Sequence, residues 1–119
     1  MNILICGSRD WKNSEIIYQE ISRFSNVKRI IHGACKGADA IGGFVAERMG
    51  FEVVEFPARW DLYGRHAGPM RNQQMLDEGC PDVVLAFHDD FEKSKGTRDM
   101  ARRARKAGIP VFIISENLK

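Results

Sequence analysis

Three short stretches of this 119-residue chain carry residue types that handle anions: Gly7-Ser8-Arg9, His32-Gly33-Ala34-Cys35-Lys36-Gly37-Ala38-Asp39, and Lys95-Gly96-Thr97-Arg98-Asp99. In the second, the apolar pair Ile30-Ile31 runs into a glycine-bracketed turn that opens directly into a helical pattern. Gly33 and Gly37 permit positive φ and close approach of the backbone, while the following helix turns free N–H groups and its positive dipole end toward the loop. Such a corner suits a phosphate. It is not a Walker A loop, because three residues separate Gly33 from Gly37 and Ala38 stands where the lysine belongs; nor is it G-x-G-x-x-G. A tight strand-to-helix turn with no ligand fits the same residues.

The other candidates are read in the same way. Arg9 can fork onto a phosphate or carboxylate, or pair with Asp10 in a turn. Lys36 can add a point charge to the central loop, and Asp39 can accept backbone N–H groups or a ribose hydroxyl. His32 ends an apolar strand, a place where hydrogen-bonded structural histidines are common. Trp60, Tyr63 and Arg65 combine aromatic faces and a cation in a connection longer than a minimal crossover turn, as in loops that cover sites. Arg71 and Asn72 follow Gly68-Pro69-Met70 and fall in the first turn of a helix, where a cation gains nothing from the dipole, so a ligand or carboxylate partner is expected for Arg71. Gly96 allows close approach, Thr97 offers a capping hydroxyl, and Asp99 is the acid nearest that corner, able to activate water or simply to complement the dipole.

Other chemistries find less support. His88-Asp89-Asp90 are adjacent in sequence and do not have metal-ligand spacing, so no metal is expected. Cys35 stands near a helix start without a readable general base, and no Ser-His-Asp or Cys-His set is apparent. Three cysteines without C-x-x-C spacing argue against a disulfide framework or a zinc ribbon. Arg98, Arg102, Arg103, Arg105 and Lys106 give one helix a basic surface, yet the net charge is only +2, which by itself does not indicate nucleic-acid binding. No cofactor is implied.

The elements that position these residues alternate regularly. Apolar runs at residues 2–6, 28–32, 51–56, 82–87 and 109–114 read as five strands buried on both faces. Helical patterns follow: one capped by Asn13 or Ser14 and carrying Ile17, Ile21 and Phe24, one from Ala38 to a left-handed cap at Gly50, one from Pro69 to about Glu78, and one from Thr97 to Ala107. Residues 57–68 form a long polar and aromatic connection. The expectation is a single α/β domain over 1–119, a Rossmann-like three-layer sandwich with a mainly parallel five-stranded sheet. Ligands then bind outside the carboxyl ends of the strands, where residues 7–11, 32–39, 57–71 and 88–99 gather. A composition of 44% hydrophobic and 29% charged residues is that of a globular chain; short apolar runs and a start without a signal-peptide pattern give the expectation of a cytoplasmic protein off the membrane.

Gly7-Ser8-Arg9 with Trp11, His32-Gly33-Ala34 leading to Gly37-Ala38-Asp39, Gly68-Pro69-Met70-Arg71-Asn72 with Met75, and Gly96-Thr97 together resemble the YspA-like branch of the SLOG superfamily. Its relatives include the lonely-guy phosphoribohydrolases and the Rossmann-like part of the DNA-processing protein A family. The resemblance covers nearly the whole chain and implies a Rossmann-like domain that binds nucleotides or nucleotide-derived ligands, with its glycine loops at the phosphate. Arg71 looks like the arginine that lonely-guy enzymes use with a glutamate to cleave an N-glycosidic bond. The glutamate position is Met100 here, and Glu92, Lys93 and Ser94 replace the glycines before Gly96.

The leading expectation is a binding protein for a nucleotide or related phosphorylated ligand: Arg9, Lys36 and the glycine loops at phosphate, Asp39 at ribose, Trp60 or Tyr63 at the base. The alternative is a nucleoside 5′-monophosphate phosphoribohydrolase in which Asp99 activates water and Arg71 orients the phosphate or ribose. Single-stranded nucleic-acid binding through the basic helix ranks third. Relatives often pair through helices, so a homo-oligomer is compatible with each reading.

Overall fold

The computed structural model describes residues 1–117. Five strands, β1 (Asn2–Gly7), β2 (Arg29–His32), β3 (Glu52–Glu55), β4 (Val83–Phe87) and β5 (Val111–Ile114), form one sheet in the order β3-β2-β1-β4-β5. Every pairing is parallel, with Ile3 opposite both Ile30 and Val83, and Leu85 opposite Phe112. The helices are α1 (Ser14–Ser22), α2 (Ala38–Arg48), α3 (Trp60–Tyr63), α4 (Ala67–Gly79) and α5 (Gly96–Lys106). This is the Rossmann-like α/β sandwich that the alternating pattern implies.

The period of two along a strand divides the core into two layers. Ile3 and Ile5 of β1 and Val83, Leu85 and Phe87 of β4 face α1 and α2, packing with Ile17, Ile21, Val45 and Ala46. Leu4, Cys6, Val84 and Ala86 face the other way, onto Met75 and Leu76 of α4 and Met100 and Ala104 of α5. Small residues set how closely the helices ride: a Cβ at Gly42 would meet Ile5 at 2.8 Å, and one at Gly79 would meet Ile31 at 2.9 Å.

Four local expectations are corrected. Burial on both faces holds for the central strands, whereas β3 begins and ends on exposed Glu52 and Glu55 and Phe112 of β5 is half exposed, because each edge strand lacks a neighbour on one side. The connection over residues 57–68 contains α3 and a 3-10 turn at Gly64–His66, so α4 starts at Ala67, two residues before Pro69. Gly79 is the last residue of α4, and Cys80 takes the left-handed conformation ahead of Pro81. Thr97 lies inside α5, which starts at Gly96; the side chain at its N-cap, Lys95, makes no capping bond, and Ser94 Oγ instead accepts the Arg98 amide at 3.2 Å. Of the two cap candidates for α1, Asn13 performs the role: its Oδ1 accepts the Ile16 amide at 2.9 Å.

The chain order reverses between β1 and β4, and open parallel sheets present their ligand crevice at such a switch point. The segments after β1 and β4 are Gly7-Ser8-Arg9 and His88. No described helix is long and apolar enough to cross a membrane.

Candidate functional site

A cavity of about 560 Å³ opens at this switch point, a volume suited to a small-molecule ligand. Its floor is made by Cys6 at the end of β1, Met75 of α4 and Met100 of α5. Around the rim stand Gly7, Ser8 and Arg9 after β1, Cys35 and Asp39 before and in α2, and Trp60 and Arg65 from the α3 connection. The start of α4 adds Gly68, Arg71 and Asn72, and the start of α5 adds Lys95, Gly96, Thr97 and Asp99. The structure thus brings together most of the sequence-derived candidates. It leaves His32, Gly33, Lys36, Gly37 and Tyr63 outside the lining.

The reason lies in the Gly33–Gly37 turn, which satisfies its own backbone. Oδ2 of Asp39 accepts the Gly33 amide at 2.9 Å and the Cys35 amide at 3.5 Å. Nδ1 of His32 accepts the Ala34 amide at 3.0 Å. The Ala38 amide, one of the free donors at the start of α2, goes to the Ser8 carbonyl at 3.0 Å. Gly37, at φ +81°, makes that contact feasible, since a Cβ there would lie 2.6 Å from the Arg9 backbone. Asp39 therefore serves as a built-in anion in the corner that the sequence suggests for a phosphate, and Lys36 is left exposed to one side.

Asp39 is buried, and that burial pushes its carboxyl up to about 6, only partly offset by the Gly33 amide and the Arg71 charge. Burial likewise raises the Cys6 thiol well above its ordinary range, with the Asp39 charge adding to the effect. It lowers His32, more than the nearby Glu55 and Glu47 raise it. Histidine at the end of β2 is thus a neutral clasp for the loop.

A chain of hydrogen bonds crosses the cavity wall. Nη1 of Arg71 donates to the Gly33 carbonyl at 2.5 Å and to the Phe56 carbonyl at 3.4 Å. Its Nε donates to Oδ1 of Asn72 at 3.1 Å. Buried Asn72 then donates to Oδ2 of Asp99 at 3.0 Å and to the Gly96 carbonyl at 3.3 Å. Asp99 also accepts from Arg102 at 2.7 Å and Arg103 at 2.8 Å, and Arg103 reaches on to Gln73 at 3.0 Å. Partial burial alone would raise Asp99, but bonds from Asn72 and Arg103, the Arg103 charge and the Arg102 bond together hold it below the usual carboxylate range. Arg71 accordingly finds its protein partners in backbone carbonyls and Asn72, where the sequence suggested a ligand or a carboxylate.

Three cations on the rim are different: Arg9, Arg65 and Lys95 are exposed and have no hydrogen-bond or ion-pair partner among the described residues. The amides of Gly96 and Thr97 are also without protein partners among the described residues, as expected in a first turn where Ser94 takes only the Arg98 amide. Trp60 is 48% exposed, and its ring lies over Gly68, where a Cβ would meet it at 3.1 Å. Sequence reasoning named Lys95 in the α5 corner without placing it among the binding residues. The signal available was a lysine directly before a helix-opening glycine, the place where its charge and the helix dipole act together. His88 reaches the rim as well, its Nδ1 accepting the Asp90 amide at 2.9 Å, while Asp89 is taken by Ser115 and Glu116.

An all-parallel sheet with a cation-rimmed cavity at its switch point defines a Rossmann-like α/β domain with a candidate ligand site. The chain belongs to the YspA, cpYpsA-related SLOG family (YAcAr), whose model matches residues 1–63. It is also 39% identical over 119 aligned residues to the "Gene 61 protein" of Mycobacterium phage D29, covering 92% of this chain and 93% of that protein. The family match contains the Ser8 turn and the Asp39 loop; Arg71, Asn72 and the Gly96 corner follow it. Membership associates the chain with nucleotide-related chemistry, whether binding or hydrolysis.

Proposed function

We propose that the protein binds a nucleotide or nucleotide-derived phosphorylated ligand in the switch-point cavity. The observation that carries this reading is the grouping of three cations without a partner among the described residues, Arg9, Arg65 and Lys95, with the open amides of Gly96 and Thr97 on one rim. The phosphate sits at the start of α5, where amides, the dipole and Lys95 act in the same direction. The base stacks on Trp60, and the sugar lies between them over Met75 and Met100. Arg71 and Asn72 hold the wall in shape, and Asp39 holds the adjoining loop.

The same geometry weighs against the phosphoribohydrolase. A general base works best with a pKa near the operating pH, whereas Asp99 is held in its charged form by three side chains. Met100, at the position of the glutamate of lonely-guy enzymes, gives the cavity a thioether.

Calorimetric titration with nucleoside 5′-monophosphates tests the proposal, followed by chromatography of the incubated mixture. Saturable binding with the ligand recovered intact is expected. Absence of binding to every monophosphate would overturn the reading, and release of free base with ribose 5-phosphate would replace it with the hydrolase.

A further inference from the structure

The cavity does not end at Lys95. On the far side of that residue runs a second, shallower groove of about 430 Å³, which shares Ser94, Lys95 and Asp99 with the cavity. Its outer wall is made by Arg98, Arg102 and Arg105 of α5, and Phe91 provides its one aromatic surface. Four cations therefore meet one carboxylate. That carboxylate, Asp99, is already bonded to Arg102 at 2.7 Å, while Arg98 uses only its Nη1, on the Glu92 carbonyl at 3.0 Å. Arg105 and Lys95 have no partner among the described residues.

This asymmetry needs a cause. A basic surface that only solvates a helix would be spread around its exposed side, and its charges would pair with acids along the helix. Here Asp99 pairs with Arg102 and Arg103, whereas Arg98 and Arg105 have no acid partner among the described residues, and Arg98, Arg102 and Arg105 collect in one concave strip that is continuous with the phosphate corner. Like charges placed together in a groove repel one another unless an anion joins them, and a groove focuses that field more than a convex surface does.

We infer that the ligand carries more than one phosphate, with the first at the Gly96 and Thr97 amides and the next passing Lys95 into the Arg98–Arg105 groove. This inference rests on the nucleotide reading above and narrows it to nucleoside di- and triphosphates or compounds with an equivalent phosphate chain. Lys95, common to both spaces, bridges successive phosphates as a point charge, and the guanidinium groups of Arg98 and Arg105 take the distal one in their fork geometry.

The test is a calorimetric series with AMP, ADP and ATP on the full chain and on the Arg98→Ala/Arg105→Ala variant, with a short oligothymidylate as a further probe. The parent is expected to bind ADP or ATP about tenfold more tightly than AMP, and the variant to lose that gain while keeping its AMP affinity within about twofold. Unchanged AMP binding also reports that the variant is folded. Equal affinity of the parent for all three, or an equal loss for all three in the variant, would overturn the groove and leave the nucleotide site standing. Binding of the oligothymidylate alone would overturn both in favour of single-stranded nucleic acid, and binding of none of the probes would remove both.

Discussion

The side-chain amide of Asn72 donates to Asp99 Oδ2 at 3.0 Å, and this one bond ties the first turn of α4 to the first turn of α5. Asn72 is buried and uses both ends of its amide, accepting from Arg71 and donating to Asp99 and the Gly96 carbonyl. Asn72→Ala leaves Arg71 Nε and the Gly96 carbonyl without that partner, an expected loss of about 1–3 kcal/mol by chemical denaturation. Asn72→Asp keeps the shape but places a second carboxylate against Asp99. It should be the more damaging of the two at pH 7 and recover relative to Ala as the solution is acidified.

Asp39 makes stability depend on pH with an unusual sign. Its folded pKa is about 6 and its ordinary value is 3.8, so between those values the folded state binds more protons than the unfolded chain. Stability from this group therefore falls as pH rises from about 4 to about 6 and is level above that range. The change is on the order of 2–3 kcal/mol, following the free energy of a pKa shift. Asp39→Asn retains an oxygen for the Gly33 amide and removes the charge. Denaturation midpoints across this window should be flatter for the variant than for the parent, and parallel curves would contradict the role assigned to Asp39.

Gly43 and Gly50 should respond differently to alanine. A Cβ at Gly43 would stand 2.6 Å from His32 Nε2, in a packed interior, so Gly43→Ala is expected to cost about 1–3 kcal/mol through overpacking. Gly50 has nothing within 4 Å but sits at φ +87°, and Gly50→Ala should cost about 1–2 kcal/mol from left-handed strain alone. Combining each with His32→Ala separates the mechanisms. Only the Gly43 pair should be non-additive in a double-mutant cycle.

Fluorescence can report the cavity. The protein has two tryptophans: Trp11 is 3% exposed and packs against Phe87 with ring centroids 5.5 Å apart, whereas Trp60 is at the rim. Nucleotide binding should change the Trp60 emission, and Trp60→Phe should abolish most of the response while affinity falls little. Trp60→Ala should weaken binding by about 1–2 kcal/mol through lost stacking. A response that survives in Trp60→Phe would place the base elsewhere.

Removing the free rim cations should affect binding more than folding. Lys95→Ala and Arg9→Ala are each expected to lower nucleotide affinity about tenfold, in keeping with charge-assisted contacts to phosphate; the thermal midpoint of Lys95→Ala should be unchanged, since that side chain has no partner among the described residues, whereas Arg9→Ala also removes a charge that favours ionised Asp39. Lys36→Ala, outside the cavity, should leave affinity as it is.

The central strands, α1 and α2 were legible in the sequence because each depends on local periodicity and on caps such as Asn13. The gathering of Arg9, Trp60, Asn72 and Thr97 at one edge was legible too, since a parallel sheet brings successive loops to the same end. Arg71 was singled out for a misplaced charge, but its partner is the Gly33 carbonyl, 38 residues away, and no spacing rule encodes such a contact. Nor could residue types reveal that Asp39 folds back onto the Gly33 and Cys35 amides, because the same aspartate could have faced a ribose. The short α3 escaped notice because four residues are too few to show a helical period.

With Ser8 and Asp39 filling the corner at α2, the two ends of the crevice are unlike, and a guest would be read directionally. On the proposed reading its anionic head has its berth at α5 and its flat ring another, at Trp60. Turning the molecule around would set an aromatic face against bare amides and a phosphate against an indole. Under the proposed binding mode the crevice thereby gives its guest a head and a tail, so two compounds with the same groups in reversed order should be as different to this protein as two unrelated ones.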